Sequence, residues 1–211
     1  METRVLVGRQ GIFTAARDLV GYELLFRAPG RQGLRVDLWN ALQQDRATEH
    51  VIAAAFAEGP DIGPSLPVFI NFTRSYLVTR DDIACDPTRV VVEVVESAFA
   101  DDALRSRLAT LREKGFRIAI DDFIGTRSQL DLLEYADYVK IDYRDLKARG
   151  ATLVDLAQMR PTTLIAERVE SRAAIAECLA LGFDLFQGWA IEPAIIVDRG
   201  SSAPWSEPLP G

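Results

Sequence analysis

The sequence predicts an α/β protein whose parallel strands close into a barrel. Three observations carry this. Eight short runs rich in Val, Ile, Phe and Tyr are mostly continuous rather than alternating, the pattern of strands covered on both faces. Helical stripes separate many of them, which gives βαβ units. A polar side chain sits in or just after seven of the runs, and a parallel barrel gathers its strand ends at one mouth.

In chain order the strands are expected at Val5–Val7, Gly21–Phe26, Pro67–Phe72, Val90–Val95, Arg117–Asp121, Tyr138–Ile141, Thr163–Ala166 and Asp184–Gly188. Helices are expected over Thr48–Glu58, where Val51, Ile52, Ala55 and Phe56 share helical spacing, and over Asp101–Lys114. The latter opens on capping aspartates, stripes Leu104, Leu108 and Leu111, and stops at Gly115. Ser128–Glu134, Ala151–Met159 and Ser171–Leu181 read as helices too. The stretch 199–211, rich in Pro, Gly and Ser, reads as a flexible C-terminal tail, which leaves 1–198 as one barrel domain.

Composition narrows the chemistry. The chain has 211 residues, and 24 Lys and Arg against 31 Asp and Glu give a net charge of −7. That balance argues against DNA or RNA as a partner. No apolar run approaches the ~20 residues of a membrane helix, so no membrane partner is expected. Cys85 and Cys178 are far apart and form no C-x-x-C, which argues against a disulfide framework and for a reducing, cytoplasmic setting. A single histidine, His50, rules out metal sites built on several imidazoles. A metal here is a hard cation held by oxygen.

The seven polar residues are Glu23, Asn71, Glu93, the pair Asp121 and Asp122, Lys140, Glu167 and Gln187. From Asn71 onward they recur every 19 to 28 residues, about one βα unit each. A carboxylate in an apolar strand is costly unless paired or bound to metal. Recurrence once per unit gives these residues a shared destination at the barrel mouth. Glu23, Asn71, Glu93, Asp121 and Asp122 offer oxygen ligands suited to Mg²⁺ or Mn²⁺, and two such ions serve phosphoryl chemistry. Lys140 fits as a cation near the water or phosphate, and Glu167 as general base or further ligand. Each residue also has a plainer reading: Glu93 as a solvated edge position, the aspartate pair as a helix cap, Lys140 as a surface lysine, Gln187 as a partner for backbone groups. Glu170 reads as an acid favoured by the dipole of the following helix, His50 as solvated, and both cysteines as small buried side chains.

These residues carry a resemblance. The chain resembles the EAL-domain family, phosphodiesterases that hydrolyse the bacterial messenger cyclic di-GMP, over roughly Val5 to Pro193. The segment from Gly21 to Arg27 reads GYELLFR, with Leu24 where the family name has Ala. FINF ends at Phe72, VVEVVE at Glu96, IDDF at Phe123, VKID at Asp142, AERVE at Glu170 and FQG at Gly188, in the family's order. The resemblance implies a modified TIM (β/α)8 barrel with an antiparallel first strand. It implies that Glu23, Asn71, Glu93 and Asp121 hold a first metal, and that Asp121 bridges to a second held with Asp122. Lys140 and Glu167 become catalytic, Arg27 and Gln187 substrate-binding, and Glu96 the tether of the loop after the aspartate pair. Two Mg²⁺ or Mn²⁺ ions, cyclic di-GMP and a homodimer are the cofactors and partners implied.

The aspartate pair is followed by FIGTRSQ rather than the family's G-T/A-G-Y-S-S. This departure is most similar to EAL domains joined to HDOD domains. It sets a second reading beside hydrolysis to linear pGpG: a degenerate domain that binds cyclic di-GMP or a protein partner without turnover. Without the resemblance, a barrel that stabilises an enolate with Lys140 as base also fits, although a second basic residue is missing.

Overall fold

A computed structural model gives the fold and describes residues 3–27, 36–56 and 66–201. Strands β1 (Thr3–Thr14) and β2 (Leu19–Arg27) form a long antiparallel pair. Helix α1 (Ala41–Phe56) follows, then β3 (Val68–Phe72), α2 (Arg74–Thr79), β4 (Val90–Val94), α3 (Asp102–Glu113), β5 (Arg117–Ile120) and α4 (Arg127–Leu132). The chain continues through β6 (Tyr138–Asp142), α5 (Tyr143–Arg149), α6 (Thr152–Ala157), β7 (Thr163–Glu167), α7 (Arg172–Ala180), β8 (Leu185–Phe186) and β9 (Ile195–Ser201).

Strands β2 to β8 are parallel and sequential, and β1 closes the ring by pairing antiparallel with both β2 and β8. This is the modified barrel with an antiparallel first strand. Apolar strand faces make two cores. Outward side chains such as Val92, Ile118 and Leu164 pack under the helices. Inward, Ile12, Phe69, Val91, Ala119 and Ile165 form a plug, with Val20, Tyr138 and Leu185 packed against it. A filled interior leaves only the rims for chemistry.

Most expected elements form, with shifted ends. The first run is four times longer than three residues, because β1 pairs along its length with β2 and β9. Helix α1 starts seven residues before the expected Thr48, and Glu58 lies outside the described residues. Helices α2 and α5 carry no clear apolar stripe and were not anticipated. α2 is started instead by Thr73, whose hydroxyl accepts from Tyr76 N, and α5 by Asp142, which accepts from Arg144 N. Residues 199–201, read as the start of the tail, end strand β9, because Ile195, Ile196 and Val197 lead the chain antiparallel along β1. The rest of that segment, 202–211, lies outside the described residues. His50, read as solvated, is half-buried with its ring 6.2 Å from Phe26, and burial lowers its pKa.

Candidate active site

Strand alternation builds the site from the plug upward. Side chains two residues apart on a strand share a face. Asn71, Glu93, Asp121, Lys140, Glu167 and Gln187 each stand two residues beyond a plug residue: Phe69, Val91, Ala119, Tyr138, Ile165 and Leu185. All are therefore lifted to one layer at the C-terminal mouth. β1 runs the other way, so its residue in that layer precedes Ile12: it is Gln10, which pairs in register with Glu23.

Lys140 is the hub. Its side chain is 0% exposed, and its Nζ lies 2.6 Å from Glu93 Oε1, 2.8 Å from Glu167 Oε1, 3.0 Å from Asp121 Oδ1 and 3.4 Å from Glu23 Oε2. The surface-lysine reading is thereby corrected. Gln187 Nε2 donates to Glu23 Oε2 at 2.6 Å and to Gln10 Oε1 at 3.2 Å, and Asn71 Nδ2 reaches Glu23 Oε1 at 3.5 Å. The ammonium contact to Glu93 is close but not aligned as a directed hydrogen bond, so charge rather than orientation holds it.

One ammonium does not balance four acids in a dry pocket. Burial by itself lowers the Lys140 pKa, but Asp121, Glu167, Glu23 and Glu93 outweigh it and push it well up, so the ammonium stays charged. Burial raises Glu93 and Glu167 well above the usual carboxylate range against the pull of Lys140. Loss of water and crowding of like charges thus disfavour the ionised form of both glutamates.

Beside the ring, oxygens of Glu96, Asp121 and Asp122 lie within 4.8 Å of one another. Asp122 has a positive φ of 40°, and burial, then Asp121, raise its carboxyl to about 7. Neither aspartate caps a helix, because α4 starts later with Thr126 as its cap. The loop between is pinned by buried Gln129. Its Nε2 donates to the Asp122 carbonyl at 3.0 Å, and its Oε1 accepts from Ile124 N and Thr126 N at 3.0 and 3.2 Å. Sequence reasoning passed over Gln129, although T-x-x-Q is a capping-box signal. It also passed over Gln10, which has no βα spacing to betray it. Gly188 is required where it stands: a Cβ would lie 2.3 Å from Val169 N and O, and that close approach seats Gln187 beside β7. Arg27 ends β2, and its guanidinium lies over Gly8, where a Cβ would come within 2.9 Å of its Cζ. Burial lowers its pKa and the nearby Glu23 opposes this.

The donor set fits a hard divalent cation. Asn71 Oδ1 and Glu93 Oε2 are buried and accept no hydrogen bond, and every candidate ligand is oxygen. The site is thus a ring of carboxylates with a lysine at its centre and a second acidic cluster beside it.

A family model described as "EAL domain" matches residues 10–194. The chain belongs to the EAL domain family. It is 32% identical over 205 residues to the Uncharacterized protein YuxH of Bacillus subtilis (strain 168), covering 92% of this chain and 48% of that one. It is 33% identical over 200 residues to the Cyclic di-GMP phosphodiesterase CdgJ of Vibrio cholerae, covering 92% and 45%. The EAL chain thus spans about half the length of these two relatives. Among solved structures, it resembles BlrP1 of Klebsiella pneumoniae in a calcium and cyclic di-GMP complex, with a TM-score of 0.71, 24% identity and coverage of 93% and 57%. It also resembles a standalone EAL protein of Vibrio cholerae O395 in its c-di-GMP-bound form, with a TM-score of 0.70, 22% identity and coverage of 90% and 92%. At these identities the structures establish the fold.

Proposed function

We propose that the domain hydrolyses cyclic di-GMP to linear pGpG with two divalent cations, Mg²⁺ or Mn²⁺. The observation that carries this reading is the convergence of Glu23, Glu93, Asp121 and Glu167 on the buried Lys140 ammonium, with Asn71 reaching Glu23 beside them. Glu23, Asn71, Glu93 and Asp121 would hold one ion, and Asp121 with Asp122 the other. Bound there, the ions lower the pKa of a water and offset charge on the leaving oxygen. Glu167 takes the proton of the attacking water. Lys140 places its charge on the phosphate, and Arg27 and Gln187 orient the nucleotide. The bond formed joins the water oxygen to phosphorus, and the bond broken joins phosphorus to a ribose oxygen.

Supporting this are family membership and the name of the CdgJ relative. The test incubates the protein with cyclic di-GMP and Mn²⁺ and separates the products. Linear dinucleotide from the wild type but not from Asp121→Ala is expected, and intact nucleotide after long incubation overturns the reading. A second reading, binding without turnover, is favoured by the FIGTRSQ loop and its Gln129 anchor, because that loop directly follows Asp122 and Gln129 holds the Asp122 carbonyl. Calorimetric binding without product would establish it. We further infer a barrel domain that runs to about the end of β9, of the kind found joined to HDOD domains, acting in the cytoplasm and able to form a homodimer. The departure of this loop supports the likeness to that kind of domain; separately, no described helix is long and apolar enough to cross a membrane.

A further inference from the structure

Two arginines at the mouth belong to none of the roles above. Asp142 follows Lys140 by two residues on β6, so it shares the inward face, and it pairs in register with Glu167. Its carboxylate is nearly buried and gathers two guanidiniums. Arg144 Nη2 donates to Oδ2 at 2.7 Å and Arg144 Nε lies 3.2 Å from both oxygens, while Arg168 Nη1 lies 3.2 Å from Oδ2. Two guanidiniums thus share one carboxylate directly after Glu167, above a floor dominated by acids.

Arg168 is one of three described non-glycine residues with a positive φ, beside Arg17 and Asp122. Its φ is +52°, a region that disfavours residues with a Cβ and suits glycine. The conformation is imposed from both sides, because Val169 N donates to the Gln187 carbonyl at 3.1 Å and Glu167 lies in β7. A glycine would fit at lower cost, so strain is retained for a side chain that is 56% exposed and contributes no core packing. An ion pair at such exposure adds little stability in return.

We propose that Arg168, held in place by Asp142 and flanked by Arg144, is a ligand-binding residue that offers N–H donors to an acceptor group of the nucleotide, a phosphodiester oxygen or the guanine O6/N7 edge. The inference rests on the cyclic di-GMP reading. A guanidinium fork matches either group, and pre-pairing with a carboxylate fixes its plane before the ligand arrives.

Calorimetric titration of cyclic di-GMP in Ca²⁺, with thermal melts of the same samples, tests it. Arg168→Gly leaves Asp142 paired to Arg144, so no buried charge is orphaned. Affinity is expected to fall about tenfold, the loss of one good charged contact, while Tm stays level or rises as strain is relieved. Arg168→Lys, which keeps charge without the fork, falls between. A loss that shrinks at about 0.5 M salt, where screening cuts charge attraction to within a few ångströms, assigns the contact to phosphate. A loss that persists assigns it to guanine. Wild-type affinity in Arg168→Gly overturns this inference alone, whereas no binding by the wild-type chain overturns the nucleotide reading and this inference with it.

Discussion

Glu93 at the barrel mouth and Asp82 on the outer surface are both carboxylates close to a lysine, 2.6 Å from Lys140 and 3.0 Å from Lys114. Their titrations move in opposite directions. Glu93 is 0% exposed and burial pushes its pKa far up despite Lys140. Asp82 faces solvent, and the hydrogen bond from Lys114 pulls its pKa down. The same split holds more widely: Glu167 and Asp122 are raised at the mouth, while Asp86, Asp101 and Glu177 are lowered outside. A partner decides the charge where water is present, and desolvation decides it where water is excluded. The mouth is therefore a region under electrostatic load, and the exterior is not.

Lys140→Met strains that contrast most. It removes the cation facing four acids, and loss of a buried ionic partner costs about 3–5 kcal/mol. Urea melts in EDTA should show the loss, and Mn²⁺ should recover much of it by replacing the missing charge. An unchanged EDTA melt would mean that Lys140 does not balance the ring. Glu93→Gln works in the opposite sense, keeping shape while removing one acid. At pH 8 in EDTA it should raise stability by about 1 kcal/mol, and it should weaken Mn²⁺ binding by at least about 10–100-fold in calorimetry.

A pH series separates the two regions within one molecule. Raised groups contribute stability that is present below the ordinary carboxylate range and lost as pH rises through their folded pKa, about 7 for Asp122. Lowered groups contribute stability that is present above that range and lost as pH falls through their folded pKa. Tm in EDTA should decline on both sides, the alkaline limb from the mouth and the acid limb from Asp82, Asp86, Asp101 and Glu177. Mn²⁺ should flatten the alkaline limb and leave the acid limb. The smallest effect belongs to the exterior: Lys114→Ala should scarcely move Tm at neutral pH, because solvated ion pairs contribute little.

Much of this was legible in the chain. A polar residue in or just after each apolar run, recurring at βα spacing, marked Asn71, Glu93, Asp121, Lys140, Glu167 and Gln187, because such spacing is a local property. Gln10 was hidden, since an antiparallel strand puts its mouth residue before the plug residue rather than after it. Strand β9 was hidden as well, because a short β-branched run beside Gly and Ser is decided by its partner β1 and not by itself.

Residue type and order by themselves determined the family, the barrel and the oxygen-rich character of the site. The tertiary structure alone decided that Lys140 is buried among the acids, that the glutamates facing it are pushed up in pKa by burial, and that Asp142 collects two arginines at the rim. These depend on distances between strands and on exclusion of water, and neither quantity is written in the sequence of any one segment.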